Sequence, residues 1–409
     1  VRIELPWGNH TLDLEVPDRQ LVRWRRGDAS DPVADWSAAV AEALENPFHY
    51  PALRRAMTPD DHVAIAIDEQ LPQPARFLVP ILEHIQQAGI SCQAITLLCL
   101  PPSTGQPWLE DLPDAFQDVH LEVHDPNDRR GLSYLATTRK GRRIYLNRTA
   151  VDADQLVLLT RRSFDCRMGY AGGEGALFPA LSDEAARKEA AAKLFFDAPG
   201  DPAWPAQEEA TEVVWLLGAP FFVQVIEGKD GEIAGVVGGS IDSSGEGQRL
   251  LDTRWRVEVD EPADVVVATI SGDPARHTFA DLARALACAV RVVKPTGRVV
   301  LLSDAAPALG RSAEIMRHTE DPYKTLQILA QEKPADEEAG FLWCRAAQNA
   351  KLYLLSQWPV ETAEELFVTP LENANQVLRV IGAESSCLFL PDAHKTMAVV
   401  RKAQPGESR

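Results

Sequence analysis

The chain has 409 residues, 45% hydrophobic and 25% charged, with a net charge of −19, the profile of a globular protein with room for two cores. An acidic chain with short basic islands such as RRGDASD and RKGRR but no basic block has little with which to release counterions from a phosphate backbone, which argues against nucleic acid as a partner. No apolar run approaches the ~20 residues of a membrane span, and the opening VRIELPWGNHTLDLEV alternates like a strand rather than reading as a signal peptide.

In chain order, Val1–Val16 reads as a hairpin around Gly8-Asn9, and a helix is predicted near Trp36–Asn46. His62–Ile67 is a continuous apolar strand followed at once by Asp68-Glu69-Gln70-Leu71-Pro72. A helix over Pro80–Ala88, a stop at Gly89 and a strand over Ser91–Leu98 complete a βαβ pattern, which favours a parallel sheet. Ligands gather at the carboxyl ends of such strands, which places Asp68 and Leu100–Ser103 on a rim. His120–Asp128 ends a strand, Thr137–Arg148 turns over Lys140-Gly141, and Val151–Thr160 returns to the rim.

Next comes Gly169–Ala180, GYAGGEGALFPA, before a helical run over Glu184–Leu194. Gly169, Gly172 and Gly173, with Gly175 close behind, allow backbone N–H groups to approach a ligand, and such a loop suits a phosphate or carboxylate. The same spacing also serves a tight, closely packed turn. Asp165 and Arg167 lead into it and Glu174 lies inside it, with no lysine, histidine or serine to act as nucleophile or base. Asp197–Pro205 reads as a loop, and Thr211–Glu227 with Glu232–Gly239 as a hairpin over Lys229-Asp230-Gly231. GGSIDSSGEGQ reads as a polar loop.

A second unit starts near Asp260: strand Ala263–Ile270, helix Thr278–Val293 stopped by Gly297, and strand Arg298–Ser303. Helix Glu337–Lys351, strand Leu352–Ser356, helix Leu371–Ile381 and strand Ser386–Leu390 follow, with Thr396–Arg401 returning to the first domain. The expected fold is α/β, two domains each with a mostly parallel sheet flanked by helices and a ligand cleft between them. The N-terminal domain takes residues 1–258, completed by about 384–409, and the C-terminal domain takes 259–383.

Each candidate group has a bland reading beside the functional one. His120 and His124 are spaced to present both imidazoles to one metal, but no third ligand is near in sequence, which favours structural roles. Asp68 is either a pocket residue or the cap of the following helix. Asp281 and Arg284 are a surface pair one turn apart or a pair facing the cleft. Cys92, Cys99, Cys288, Cys344 and Cys387 sit in apolar surroundings without C-x-x-C pairing, as expected of buried thiols in a reducing cytoplasm. Cys166 differs in lying on the approach to the Gly-rich turn.

Taken together, these stretches resemble one family, the nickel-pincer lactate racemases and their 2-hydroxyacid racemase relatives. The resemblance is carried by LPWG, by Asp68–Pro74, by His124-Asp125-Pro126 through Thr138, Gly141, Asn147-Arg148 and Asp152-Ala153-Asp154, by GYAGGEGALFPA, and by Gly272–Arg284. It implies a thiolated pyridinium mononucleotide joined to a lysine, holding nickel that a histidine also ligates. It further implies two acid/base histidines and polar residues for the substrate. Laid on this chain, the first loop keeps Asp68, with Gln70 beside it, but its arginine becomes Leu71. The first acid/base histidine falls in Cys99-Leu100-Pro101-Pro102 and the second on Asp165. The lysine falls on Gly175 and the nickel histidine on Ala191. The second-domain glutamine and lysine fall on Asp281 and Arg284, and a tryptophan near the substrate on Trp343.

The resemblance therefore implies the racemase fold with its cofactor anchors replaced, so no cofactor is expected. The leading expectation is a non-racemase homologue that binds a small polar or cationic molecule. Asp68, Gln70, Asp165, Arg167, Gly172, Gly173, Glu174, Asp281, Arg284 and Trp343 are its candidate contacts. The alternatives are an active 2-hydroxyacid racemase in which Lys193, Arg167 or His277 substitutes, and a purely structural or interaction protein.

Overall fold

Val63–Ile67 is apolar at every position and buried at every position, so it needs cover on both faces. In the computed structural model, which describes residues 1–27, 32–68, 70–100, 105–191, 193–199, 204–383 and 385–401, it lies within a seven-stranded sheet. Val63–Ile67 pairs in parallel with Ile95–Cys99 and with Gln155–Asp165. Ile95–Cys99 pairs onward with His120–Val123, and Gln155–Asp165 with Phe221–Glu227, both in parallel. Ile233–Gly239 closes that edge antiparallel, and Gly169–Ala171 folds back on Gln155–Asp165.

Alternation along the strands splits the core in two. Val63, Ile65 and Ile67 pack with Val40, Leu44, Phe77, Leu78 and Ile81 on one face. Ala64 and Ala66 pack with Ile144, Leu146, Leu177 and Val213 on the other.

The chain divides into two compact units, one of Ser30–Phe195 and Pro199–Asp252, the other of Val1–Ala29, Phe196–Ala198 and Thr253–Arg409. The second unit holds a five-stranded parallel sheet in the order Thr369–Pro370, Lys351–Leu355, Val293–Leu302, Ala263–Thr269, Cys387–Leu390. The expected division at 258/259 is corrected at both ends. The opening hairpin, Arg2–Trp7 with His10–Glu15, belongs with the second sheet, because Leu5, Leu12 and Leu14 share a core with Val265, Val267 and Val300. Its turn is fixed there by the Gly8 N–H donating to the Ile270 carbonyl at 2.7 Å. Met397–Val400 pairs with Arg256–Val259, which pairs with Trp24–Arg25, all in that same unit.

Several elements differ from expectation. The helix expected from Pro80 runs over Pro74–Gln86 with Pro80 inside it. Proline there removes a helix hydrogen bond, but burial of Phe77, Leu78, Ile81, Leu82 and Ile85 holds the helix together. Thr211–Leu217 belongs to a helix, Pro205–Leu217, and only Phe221–Glu227 of that run is strand. GGSIDSSGEGQ ends a strand and opens the helix Ser243–Trp255. Its Gly247 lies against the Gln224 side chain, where a Cβ would collide; this glycine serves close packing, not a loop. Gly297 lies inside the strand Val293–Leu302, whereas the helix ends at Val290.

Candidate functional site

The sequence candidates fall into one group in each unit. In the first, the strand Gln155–Asp165 carries Arg161 and Arg162 between apolar neighbours. Arg162 is 1% exposed. Its Nε donates to Gln224 Oε1 at 2.7 Å, and its Nη1 to the Ala171 and Gly172 carbonyls at 3.4 and 3.3 Å. Its Nη2 reaches Glu174 Oε2 at 3.4 Å and the Ser244 hydroxyl. Burial opposes the charge on this guanidinium and Glu174 supports it.

This arrangement changes the reading of the Gly-rich turn. A Cβ on Gly172 would strike the Arg161 carbonyl, and one on Gly173 would strike the Arg162 guanidinium; φ is +75° and +54° at the two. The close approach these glycines allow is to the chain's own arginine. The N–H groups are also occupied: Gly173 donates to Thr160 Oγ1 at 3.1 Å, Gly175 to the Gly172 carbonyl and Ala176 to the Gly173 carbonyl. The expected phosphate or carboxylate cradle is therefore replaced by an internal cation. Sequence reasoning missed Arg162, although a charged residue inside QLVLLTRRSFD was a signal that something must pair with it.

The other candidates here shape the backbone. Asp68 Oδ1 accepts from the N–H of exposed Gln70 at 2.9 Å, and its Oδ2 from the Arg161 N–H at 3.3 Å. Asp68 does not cap the helix that follows: the N-cap position falls on Gln73, whose side chain makes no capping bond. Asp165 Oδ1 accepts from the N–H groups of Arg167 and Met168 at 2.7 and 2.6 Å, closing the turn between Gln155–Asp165 and Gly169–Ala171. Arg167 Nη1 donates to the Ala191 carbonyl at 2.6 Å, at the end of the helix Glu184–Ala191. Cys166 is buried, Lys193 is exposed, and Pro101, Pro102 and Ser103 lie outside the described residues.

His120 and His124 do not form a pair. His120 is exposed, whereas His124 is buried, with Nε2 3.0 Å from the Ser182 carbonyl and Nδ1 3.4 Å from Asn147 Nδ2. Because a carbonyl only accepts, Nε2 carries the proton and Nδ1 takes the Asn147 amide. Burial holds this imidazole below its usual pKa. Among the described residues no three His, Cys, Asp or Glu side chains are grouped to hold a metal ion.

In the second unit Asp281 and Thr278 form a capping box at the start of the helix Phe279–Val290. Arg284 Nη1 lies 3.5 Å from Asp281 Oδ1. Burial works against the Asp281 carboxylate, but Arg284, His394 and the Thr278 groups together hold its pKa below the usual range. Trp343 is 0% exposed, donates Nε1–H to the Leu366 carbonyl at 2.6 Å and stacks on Phe279 at 5.0 Å. It is packed as a core residue at the position where the resemblance puts a tryptophan near the substrate. A cluster not expected from the sequence lies here: Ser271, His277, Asp392 and His394 at the carboxyl ends of adjacent strands.

All six cysteines are free thiols, five of them buried. Burial raises Cys288 and Cys387 to about 11 and Cys344 to about 12. No helix among the described residues is long and apolar enough to cross a membrane.

Comparison with known proteins bears on the whole chain. Residues 7–194 match the family model for the lactate racemase N-terminal domain. The lactate racemase of Thermoanaerobacterium thermosaccharolyticum is 20% identical over 416 residues, covering 95% of this chain and 97% of that one. The structure of the lactate racemase apoprotein from the same organism superposes with a TM-score of 0.80 at 18% identity, covering 98% and 100% of the two chains. A crystal structure of a protein from Thermotoga maritima gives 0.59 at 10% identity, over 91% of this chain and 100% of that one. In sequence and in its two-unit α/β fold, the chain resembles the lactate racemase family over nearly its whole length.

Proposed function

We propose that this lactate-racemase-like chain does not run the nickel-pincer reaction and is a small-ligand-binding homologue, a pseudoenzyme with respect to racemisation. The observation that carries this is the chemistry at two positions. Where the resemblance puts the cofactor lysine stands Gly175, and where it puts the nickel histidine stands Ala191. Glycine offers no amine to tether a prosthetic group, and alanine has no lone pair for a metal. The space a Cβ would enter at Gly175 is bounded by Met168 Sδ at 3.0 Å, and the Ala191 carbonyl is engaged by Arg167. The residues at these positions do not fit a lysine-linked, histidine-ligated metal group.

The neighbouring positions support the same reading. Leu71, where the family arginine falls, is 3% exposed and cannot pair with a carboxylate. Asp165, where an acid/base histidine falls, spends one oxygen on two backbone N–H groups. The free, mostly buried thiols support a reducing, cytoplasmic setting, and the acidic balance supports a small molecule over nucleic acid as partner.

The test is direct. Purified full chain is incubated with nickel and the pincer nucleotide, then assayed by intact mass, nickel content and interconversion of lactate enantiomers. The expected result is unmodified mass, substoichiometric nickel and no interconversion. A covalent adduct carrying one nickel per chain, or lactate racemisation, would overturn the proposal.

A further inference from the structure

Strands Ala263–Thr269 and Cys387–Leu390 run parallel, and the segments leaving their carboxyl ends bring together polar groups that do not all find partners. Asp392 is 3% exposed, with a left-handed backbone at φ +51°. Its Oδ1 accepts from the Ser271 N–H at 3.2 Å and the Ser271 hydroxyl at 2.5 Å. Its Oδ2 is buried and accepts from nothing among the described residues.

His277 Nε2 lies 3.0 Å from the Ser271 carbonyl. A carbonyl only accepts, so Nε2 carries the proton and Nδ1 of the neutral ring holds a lone pair. That Nδ1 is buried and unpartnered too, as is Nδ1 of His394, whose ring centroid is 6.0 Å from that of His277. Thr269 Oγ1, at the end of its strand, is a fourth buried polar atom without a partner, one residue-to-residue backbone bond from Ala393. Ser271 thus ties Asp392 and His277 into one unit, and His394 stands beside it.

We propose that this strand-end cluster binds the ammonium group of a small organic amine, with Asp392 Oδ2 and the Nδ1 atoms of His277 and His394 as its acceptors. The donor count favours an ammonium: it brings three N–H donors and no lone pair, matching Asp392 Oδ2, the His277 Nδ1 lone pair and, with its ring in the Nε2–H form, His394 Nδ1, whereas an alcohol brings one donor and lone pairs of its own. Charge favours it as well. Asp392 supplies a buried carboxylate, and burial drops His394 to about 4, which keeps that ring neutral near neutral pH. Asp281, a second carboxylate, acts on His394 from the helix Phe279–Val290. Of the cations nearby, Arg284 is paired with Asp281, Lys395 Nζ lies 5.9 Å from the centre of the Trp255 ring, and Arg26, whose charge Asp392 supports, stands over the Trp24 and Trp255 rings at 5.0 and 5.3 Å. Here the proposal rests on the ligand-binding part of the reading above and not on the loss of nickel chemistry, so the two fail separately.

The test titrates the full chain, without nickel or nucleotide, with ethylammonium and separately with ethanol near neutral pH at fixed ionic strength. Histidine-ring nitrogen resonances and calorimetry provide the readouts. The expected result is saturable ethylammonium binding that shifts the His277 and His394 ring signals, with ethanol at least about tenfold weaker, a difference of about 1.4 kcal/mol. Asp392→Asn, checked for folding by its melting curve, should weaken ethylammonium by a similar factor. If that variant does not fold, His277→Phe is read in the same way. Equal binding of ethanol, unmoved histidine signals at ethylammonium concentrations on the order of 10 mM, or a folded variant with unchanged affinity would overturn the proposal.

Discussion

The guanidinium of Arg162 and the carboxylate of Glu174 meet at 3.4 Å with their side chains 0% and 5% exposed. Taking either partner away leaves the other as an unpaired buried charge, a loss of about 3–5 kcal/mol in comparable pairs. Arg162→Met and Glu174→Leu should each lower the unfolding free energy by about that amount in chemical denaturation. The double variant should lose clearly less than the sum, since neither charge is then stranded. Additive losses would show that the two groups do not depend on each other.

The glycines of the same turn should differ sharply in tolerance. Gly173→Ala forces a Cβ into the Arg162 guanidinium at φ +54°, and Gly172→Ala forces one into a backbone carbonyl at φ +75°. Neither obstacle can move without breaking the Arg162 network, so each should cost about 2 kcal/mol or more. Gly175→Ala meets only Met168 Sδ, the flexible part of a long side chain, and should cost about 1 kcal/mol or less. Thermal melts of the three variants check the order.

The central strands of both sheets were legible because parallel strands buried on both faces are largely apolar, as VAIAI and the VVVA of ADVVVAT are. Helices were harder where glycine and serine serve packing. Gly247 in GGSIDSSGEGQ makes room for the Gln224 amide, a reason that exists only once a distant strand is in place. The candidate residues were found by type, but type does not say what a side chain faces. Asp165 and Arg167 were singled out as ligand contacts, and in the fold one closes a turn and the other holds a helix end. Arg162 and Asp392 were passed over because their partners lie 62 and 121 residues away. A charge inside an apolar strand marks the need for a partner, but not which distant residue supplies it.

Trp343 offers a test of core against ligand roles. Its indole N–H bonds the Leu366 carbonyl and its ring stacks on Phe279. Trp343→Phe keeps part of the stack but strands a buried carbonyl, so stability should fall by about 1–3 kcal/mol. Ethylammonium affinity should stay within about twofold of the parent, within the scatter expected of an independent site. A large affinity loss without destabilisation would return this residue to the ligand-contact role first assigned to it.

Three imidazoles, two buried and one half-buried, set the acid limit of stability. Burial holds His84, His124 and His394 below the usual histidine value, the last at about 4. At His84 the reason is visible: Nε2 accepts from the Arg54 N–H at 3.1 Å, which a protonated ring cannot do. For a lowered folded pKa the unfolded chain binds the proton first. The stabilisation is therefore complete above an unfolded pKa of about 6.5 and declines as pH falls toward the folded values. Unfolding free energy should drop steadily between about pH 6.5 and pH 4, ahead of most carboxylate titration. Replacing His84 by Gln, whose amide oxygen can accept the Arg54 N–H, should lower the neutral-pH stability somewhat and flatten the slope by one proton's share. Denaturant titrations of parent and variant across that range measure the difference, and parallel slopes would show that His84 takes up its proton without cost to the fold.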